Sequence, residues 1–133
     1  MSQTHQRLLI VDDNAGICRL LFEMFSDEGY TAEVAQSGEE AIRKACANNP
    51  SLILLDVKMP GMSGLETLGK LKKLVPGVPV VLMTAYTESD VVRKAKEDGL
   101  IHNYLSKPFD MDEIRCLVRD ILAEKKSGER VCV

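Results

Sequence analysis

Short runs of Val, Ile and Leu recur along the chain without polar alternation, and segments with helical spacing of apolar residues separate them. Leu8-Leu9-Ile10-Val11, Leu52-Ile53-Leu54-Leu55, Val80-Val81-Leu82-Met83 and Tyr104-Leu105-Ser106 read as strands covered on both faces. In the first helical segment Ile17, Leu20, Leu21, Met24 and Phe25 keep the i, i+3, i+4 pattern, and Gly29 is a plausible stop. In the second, Ser37 can cap a helix with Glu40 completing a capping box; Ala41, Ile42, Ala45 and Cys46 face inward, and Asn48-Asn49-Pro50 ends it. The third begins near Ser63-Gly64, carries Leu65, Leu68 and Leu71 inward and stops before Val75-Pro76-Gly77. The fourth, from about Glu88 to Asp98, has little apolar content beyond Val91, Val92 and Ala95, so it is weakly anchored and able to shift. The fifth follows Pro108, with Asp110 as cap, Glu113 three residues on, and Ile114, Leu117, Val118, Ile121 and Leu122 inward. Five strands alternating with five helices predict an α/β fold, a doubly wound parallel sheet with right-handed crossovers.

The runs end on chemistry. Leu8 to Val11 leads into Asp12-Asp13, Leu52 to Leu55 into Asp56, Val80 to Met83 into Thr84, and Tyr104 to Ser106 into Lys107. In a parallel α/β sheet the crevice beyond the carboxyl ends of the strands is the binding site, so these residues converge there. Carboxylates about 4 Å apart repel by several kcal/mol per pair at an effective dielectric of about 20. Three acids and one ammonium leave a charge that a divalent ion would cancel, and oxygen ligands without His or Cys point to Mg²⁺ or Mn²⁺. An Asp oxygen beside such an ion can attack phosphorus, which is aspartyl-phosphate chemistry. Any single member of the set has a plainer reading: Asp13 or Asn14 could cap the first helix, and Thr84 the fourth. Capping does not require all five groups on one rim.

The chain of 133 residues predicts one domain, with a core over about 7–123 and a polar tail over 124–133. A net charge of -3 offers no basic footprint for direct nucleic-acid binding. The polar start, Met1 to Gln6, and the lack of any run approaching the ~20 apolar residues of a membrane span predict a cytoplasmic protein. Cys18, Cys46, Cys116 and Cys132 form no C-x-x-C pair; Cys46 reads as core and Cys132 as an exposed tail thiol.

Asp12-Asp13, Asp56-Val57-Lys58-Met59-Pro60-Gly61-Met62-Ser63-Gly64, Thr84-Ala85 and Lys107-Pro108-Phe109 together resemble the receiver domain of two-component response regulators, over roughly Leu8 to Ala123. The resemblance implies a flavodoxin-like fold and a phosphoacceptor signalling protein rather than an enzyme, supplied by a histidine kinase or histidine phosphotransferase. It implies Asp56 as phosphoacceptor, with Asp13, Asp56 and the Lys58 carbonyl holding Mg²⁺ and Asp12 acting through water. Thr84 and Lys107 would hold the phosphoryl oxygens, Tyr104 would turn inward on activation, and the Lys107-Pro108 bond would be cis. The stretch Gly99-Leu100-Ile101-His102-Asn103-Tyr104 sets the aromatic one residue later than is common in the family. That spacing, and the run from Lys107 to Arg115, resemble single-domain intermediates of sporulation phosphorelays.

Relay intermediates hand the phosphoryl group on, so its lifetime matters. In receivers the residues two after the acceptor and two after the Thr border the approach of water, here Lys58 and Tyr86, and neither is placed as a base. The first helix adds a partner surface. Its apolar residues sweep about 200° of arc, against the ~100° that one core face needs. In the resembling relay proteins the positions matching Ile17, Leu20, Pro108 and Phe109 dock the phosphohistidine helix; a broad core face is the competing explanation. A dehalogenase-type phosphatase would carry D-x-D where Lys58 stands, and an FMN phosphate would be repelled by the three acids. The remaining alternative is a receiver cut from a longer transcription factor.

Overall fold

A computed structural model describes residues 6–59, 61–84, 90–101, 103–107 and 110–127. The strands are β1 (Arg7–Val11), β2 (Thr31–Ala35), β3 (Leu52–Asp56), β4 (Val80–Thr84) and β5 (Asn103–Ser106). The helices α1 (Ala15–Asp27), α2 (Gly38–Asn48), α3 (Gly64–Leu74), α4 (Asp90–Glu97) and α5 (Met111–Ser127) alternate with them. All strands pair in parallel in the order β2-β1-β3-β4-β5, so the chain reverses its direction of travel across the sheet between β1 and β3.

The uninterrupted apolar runs are needed because both faces are covered. Leu8 and Ile10 of β1, Leu52 and Leu54 of β3, Val81 and Met83 of β4, and Leu105 of β5 pack with Cys18, Leu21 and Phe25 of α1 and with Ile114, Val118, Ile121 and Leu122 of α5. Their chain neighbours Leu9, Val11, Ile53, Leu55, Val80 and Leu82 point the other way, onto Ala41 and Ala45, Leu68 and Leu71, and Val92 and Ala95 of α2, α3 and α4. β2, at the sheet edge, is mostly half-buried. There Lys44 donates to the Val34 carbonyl at 2.6 Å, which occupies an acceptor that an edge would otherwise offer.

Caps set the helix limits. Asn14, not Asp13, is the N-cap of α1, its side chain accepting from the Ile17 N–H at 3.1 Å. Ser37 caps α2 through the Glu40 N–H, but the Glu40 carboxylate reaches back to the Gln36 N–H, so the expected box closes one residue earlier. Asn49, at φ 50°, ends that helix. Ser63 and Glu66 form a full capping box at α3. Asp110 accepts from the Asp112 N–H at 2.9 Å at the start of α5.

One expectation is corrected. Cys46 is exposed, because Ala41 and Ala45 already fill the contact that α2 makes. Leu20, named above for the partner surface, is 51% exposed, since Cys18, Leu21 and Phe25 form the buried stripe of α1. α5 continues to Ser127 through Glu124, Lys125 and Lys126, all good helix formers. The start proposed for the fourth helix, Thr84-Ala85 beyond Thr84, His5, His102 and Cys132 lie outside the described residues.

Gly64 opens α3 directly under the end of β3. Its N–H donates to the Val57 carbonyl at 2.9 Å, and a Cβ there would collide with the Asp56 carbonyl and stand 2.7 Å from Val57 Cα. Gly64→Ala is expected to lower stability by about 1–3 kcal/mol, as overpacking of a tight contact does. Urea unfolding measures this, and an unchanged midpoint would mean the loop yields without cost.

Candidate functional site: an acidic crevice at the carboxyl edge of the sheet

The crossing point between β1 and β3 leaves a crevice at the carboxyl ends of those strands, the general ligand position in open α/β sheets. Asp12 follows β1 and Asp56 closes β3. Both continue the alternation of residues that face α1 and α5, and so does Lys107 after β5. Parity therefore sends the three side chains to the same side, although they are far apart in sequence.

The Lys107 Nζ donates to Asp12 Oδ2 at 2.9 Å and to Asp56 Oδ1 at 3.0 Å. Asp12 is fully buried, Asp56 is 4% exposed and Asp13 is exposed. One carboxylate oxygen from each of the three lies within 4.8 Å of the others. Asp12 is fixed further by the Asn14 N–H, which donates to its Oδ1 at 2.9 Å. Thr84, 2% exposed, ends β4, where its carbonyl accepts from the Lys107 N–H at 2.8 Å. α4 is described from Asp90 onward, so the capping of its start by Thr84 lies outside the described residues.

Thr84 has the opposite parity, that of Leu82, which pairs with Tyr104. Tyr104 is partly buried against the cluster beneath α2, α3 and α4, with the Lys96 Nζ 5.7 Å from its ring centroid. Lys58 is exposed in the loop after Asp56, Ile17 is half-buried and Leu20 exposed on α1. Tyr86, Pro108, Phe109 and the Lys107-Pro108 bond lie outside the described residues.

Three further residues support the acids in a way not assigned from the sequence: Asn14 and Cys18, which bond Asp12, and Gly64, which supports Asp56. Of these only Gly64 left a signal, a glycine beside a helix-capping serine. Cys18 sits at helical spacing among apolar residues and reads as core.

Electrostatics follow from the burial. Desolvation raises the Asp56 carboxyl above its ordinary value; the Lys107 hydrogen bond opposes this, and the charge of Asp12 adds to it. At Lys107 burial favours the neutral amine, but the hydrogen bonds to Asp12 and Asp56 outweigh it and the net shift is upward. Burial, followed by the Asp12 charge, pushes the Cys18 thiol up to about 11, so it stays protonated at neutral pH. Three oxygen-bearing acids, one of them exposed, beside the Lys107 ammonium form a donor set suited to a hard divalent cation.

The profile of the response regulator receiver domain family matches residues 8–119, and the chain belongs to that family. It is therefore a phosphoacceptor response regulator protein, with the parallel five-stranded sheet and five helices of CheY-like receivers. Sporulation initiation phosphotransferase F of Bacillus subtilis is 42% identical over 123 residues, which cover 92% of this chain and 98% of that protein. The receiver domain of a CheY-like protein from Methanospirillum hungatei superposes with a TM-score of 0.88 at 29% identity, covering 94% of this chain and 99% of that one. Response regulator TrrA from Thermotoga maritima, solved in complex with Mg²⁺-BeF, gives 0.76 at 36% identity over 86% of this chain and 97% of its own. The chain also matches transcriptional regulators, of whose length it spans 25–29%. Among the described residues no helix is long and apolar enough to cross a membrane.

A carboxyl whose folded pKa lies above its unfolded value contributes stability that is fully present below the unfolded pKa and is lost as pH rises through the folded one. Ionised Asp56 thus weakens the metal-free fold at neutral pH. Asp56→Asn should melt above wild type in EDTA at pH 7, with the gap closing as the pH falls toward the unfolded carboxyl range. A variant that melts below wild type at pH 7 would mean that the bond to Lys107 outweighs the burial of the charge.

Proposed function

We propose that Asp56 accepts the phosphoryl group from a phosphohistidine of a histidine kinase or histidine phosphotransferase. The observation that carries this reading is the Lys107 ammonium shared between Asp12 and Asp56, with three acids drawn together beside it. An Asp56 oxygen forms the new O–P bond as the N–P bond to the donor imidazole breaks. Lys107 stands 3.0 Å from Asp56 Oδ1, near enough to follow the charge onto a phosphoryl oxygen, and the Thr84 hydroxyl, at the end of the neighbouring strand, would supply a second donor. Asp13, Asp56 and the Lys58 carbonyl would hold Mg²⁺ (or Mn²⁺), with Asp12 acting through water. The bound ion would offset the charge of the incoming phosphoryl group and of the acids.

Tyr104 is the natural reporter of that event, since it shares its side of the sheet with Thr84 and is only partly buried. Ile17 and exposed Leu20, with Pro108 and Phe109, would dock the donor helix beside the crevice. Partners of this kind, no direct nucleic acid and a cytoplasmic location complete the reading. Near-complete coverage of the sporulation phosphotransferase supports a relay role, which slow autodephosphorylation would suit. The matches to longer transcriptional regulators favour a second reading, a receiver that forms part of such a regulator.

Incubation with acetyl phosphate and Mg²⁺ should add one hydroxylamine-labile phosphoryl group, seen by intact mass, and Asp56→Asn should abolish it. Full labelling of that variant would place the acceptor elsewhere. The relay reading has its own test. Lys58 is exposed beside Asp56, where its long side chain can obstruct an in-line water, and Tyr86 would cover the other approach. The double variant Lys58→Asn with Tyr86→Ser should lose its phosphoryl group several-fold faster while being phosphorylated at a similar rate. A lifetime equal to wild type would remove the shielding argument.

A further inference from the structure

Every polar group of Asp12 has a partner, and one of those partners lies outside the acid cluster and the ammonium. The Asp12 N–H donates to the Ala35 carbonyl at 3.1 Å, which ties the residue to the end of β2. Its Oδ1 accepts from the Asn14 N–H and its Oδ2 from Lys107, both at 2.9 Å. Its main-chain carbonyl accepts from the thiol of Cys18, one turn into α1, with Sγ 3.1 Å from the oxygen. Cys18 is 2% exposed, so water cannot readily replace it in that bond.

That carbonyl belongs to the peptide that joins Asp12 to Asp13. The direction of this peptide decides where the Cα of Asp13 starts, and therefore where its carboxylate stands relative to Asp56. Asp13 is the exposed member of the cluster, so its placement depends on the backbone that leads to it.

We infer that Cys18 is a positioning residue for the cation site: its thiol, bonded to the Asp12 carbonyl, orients the Asp12-Asp13 peptide so that the Asp13 carboxylate meets the other two. The inference rests on the reading of the three acids as an Mg²⁺ site. It assigns to Cys18 a part that its helical spacing does not reveal. A thiol and a hydroxyl both supply this donor, whereas a branched apolar side chain of similar size supplies only the packing against Leu21 and Phe25.

The test compares Cys18→Val, which keeps the bulk and loses the donor, with Cys18→Ser, which keeps the donor and loses bulk. Mg²⁺ is titrated into each metal-free protein and followed by amide NMR shifts, alongside thermal melts. The valine variant should bind Mg²⁺ about three- to tenfold more weakly than wild type, the range expected for one net hydrogen bond. The serine variant should bind within about twofold of wild type although it melts lower from the lost bulk. Unchanged Mg²⁺ affinity in Cys18→Val would overturn the positioning role and leave the acid site standing. Equal weakening in both variants, in step with their melting temperatures, would reduce Cys18 to core packing. If wild type itself takes up no Mg²⁺, both the inference and the cation reading fall.

Discussion

The half-buried ammonium of Lys107 is what lets this fold keep its acids. Asp12 and Asp56 stand at the ends of adjacent strands with almost no access to water, and two carboxylates so placed repel strongly unless a cation lies between them. Lys107 reaches both, from the end of β5, two strand positions away from β3. The bridge spans most of the sheet's width and joins the first strand of the chain to the last. It compensates only part of the charge, and the remainder makes the crevice receptive to a cation.

Other features of the structure keep that arrangement in register. Asn14 caps α1 and bonds Asp12 with its own N–H, so the start of the helix and the orientation of the acid are set together. Gly64 brings the start of α3 against the backbone of Asp56 and Val57, closer than any side chain would permit. The loop that carries Lys58 is thus anchored at both ends by hydrogen bonds to the sheet and to α3. On the opposite side of the sheet Tyr104 is half-buried against the cluster that Val92 and Ala95 of α4 join. The acids are held by hydrogen bonds from several elements at once.

Membership of the receiver family narrows the chemistry without fixing the circuit. The chain matches nearly all of a sporulation phosphotransferase and about a quarter of several transcriptional regulators. One domain serves both kinds of protein because the crevice chemistry is complete within a single sheet, while the outcome depends on which surface recognises a partner. Leu20 and Phe22, exposed on different sides of α1, show that this helix has more apolar surface than its core contact uses.

The sequence by itself determined the alternation of strands and helices and the residues that end the strands. Doubly covered strands require unbroken apolar runs, and a polar residue that interrupts such a run has to lie at its end. Helix caps were legible for the same local reason, at Ser37, Asn49 and Asp110. Tertiary structure decided what local pattern leaves open. Whether Asp13 or Asn14 caps α1 depends on the path the chain takes out of β1, and whether Cys46 or Leu20 is buried depends on how far the helix rolls against its neighbours. The convergence of Lys107 on Asp12 and Asp56 is a matter of strand parity and sheet order, which bring to one point residues whose separation along the chain carries no sign of their meeting.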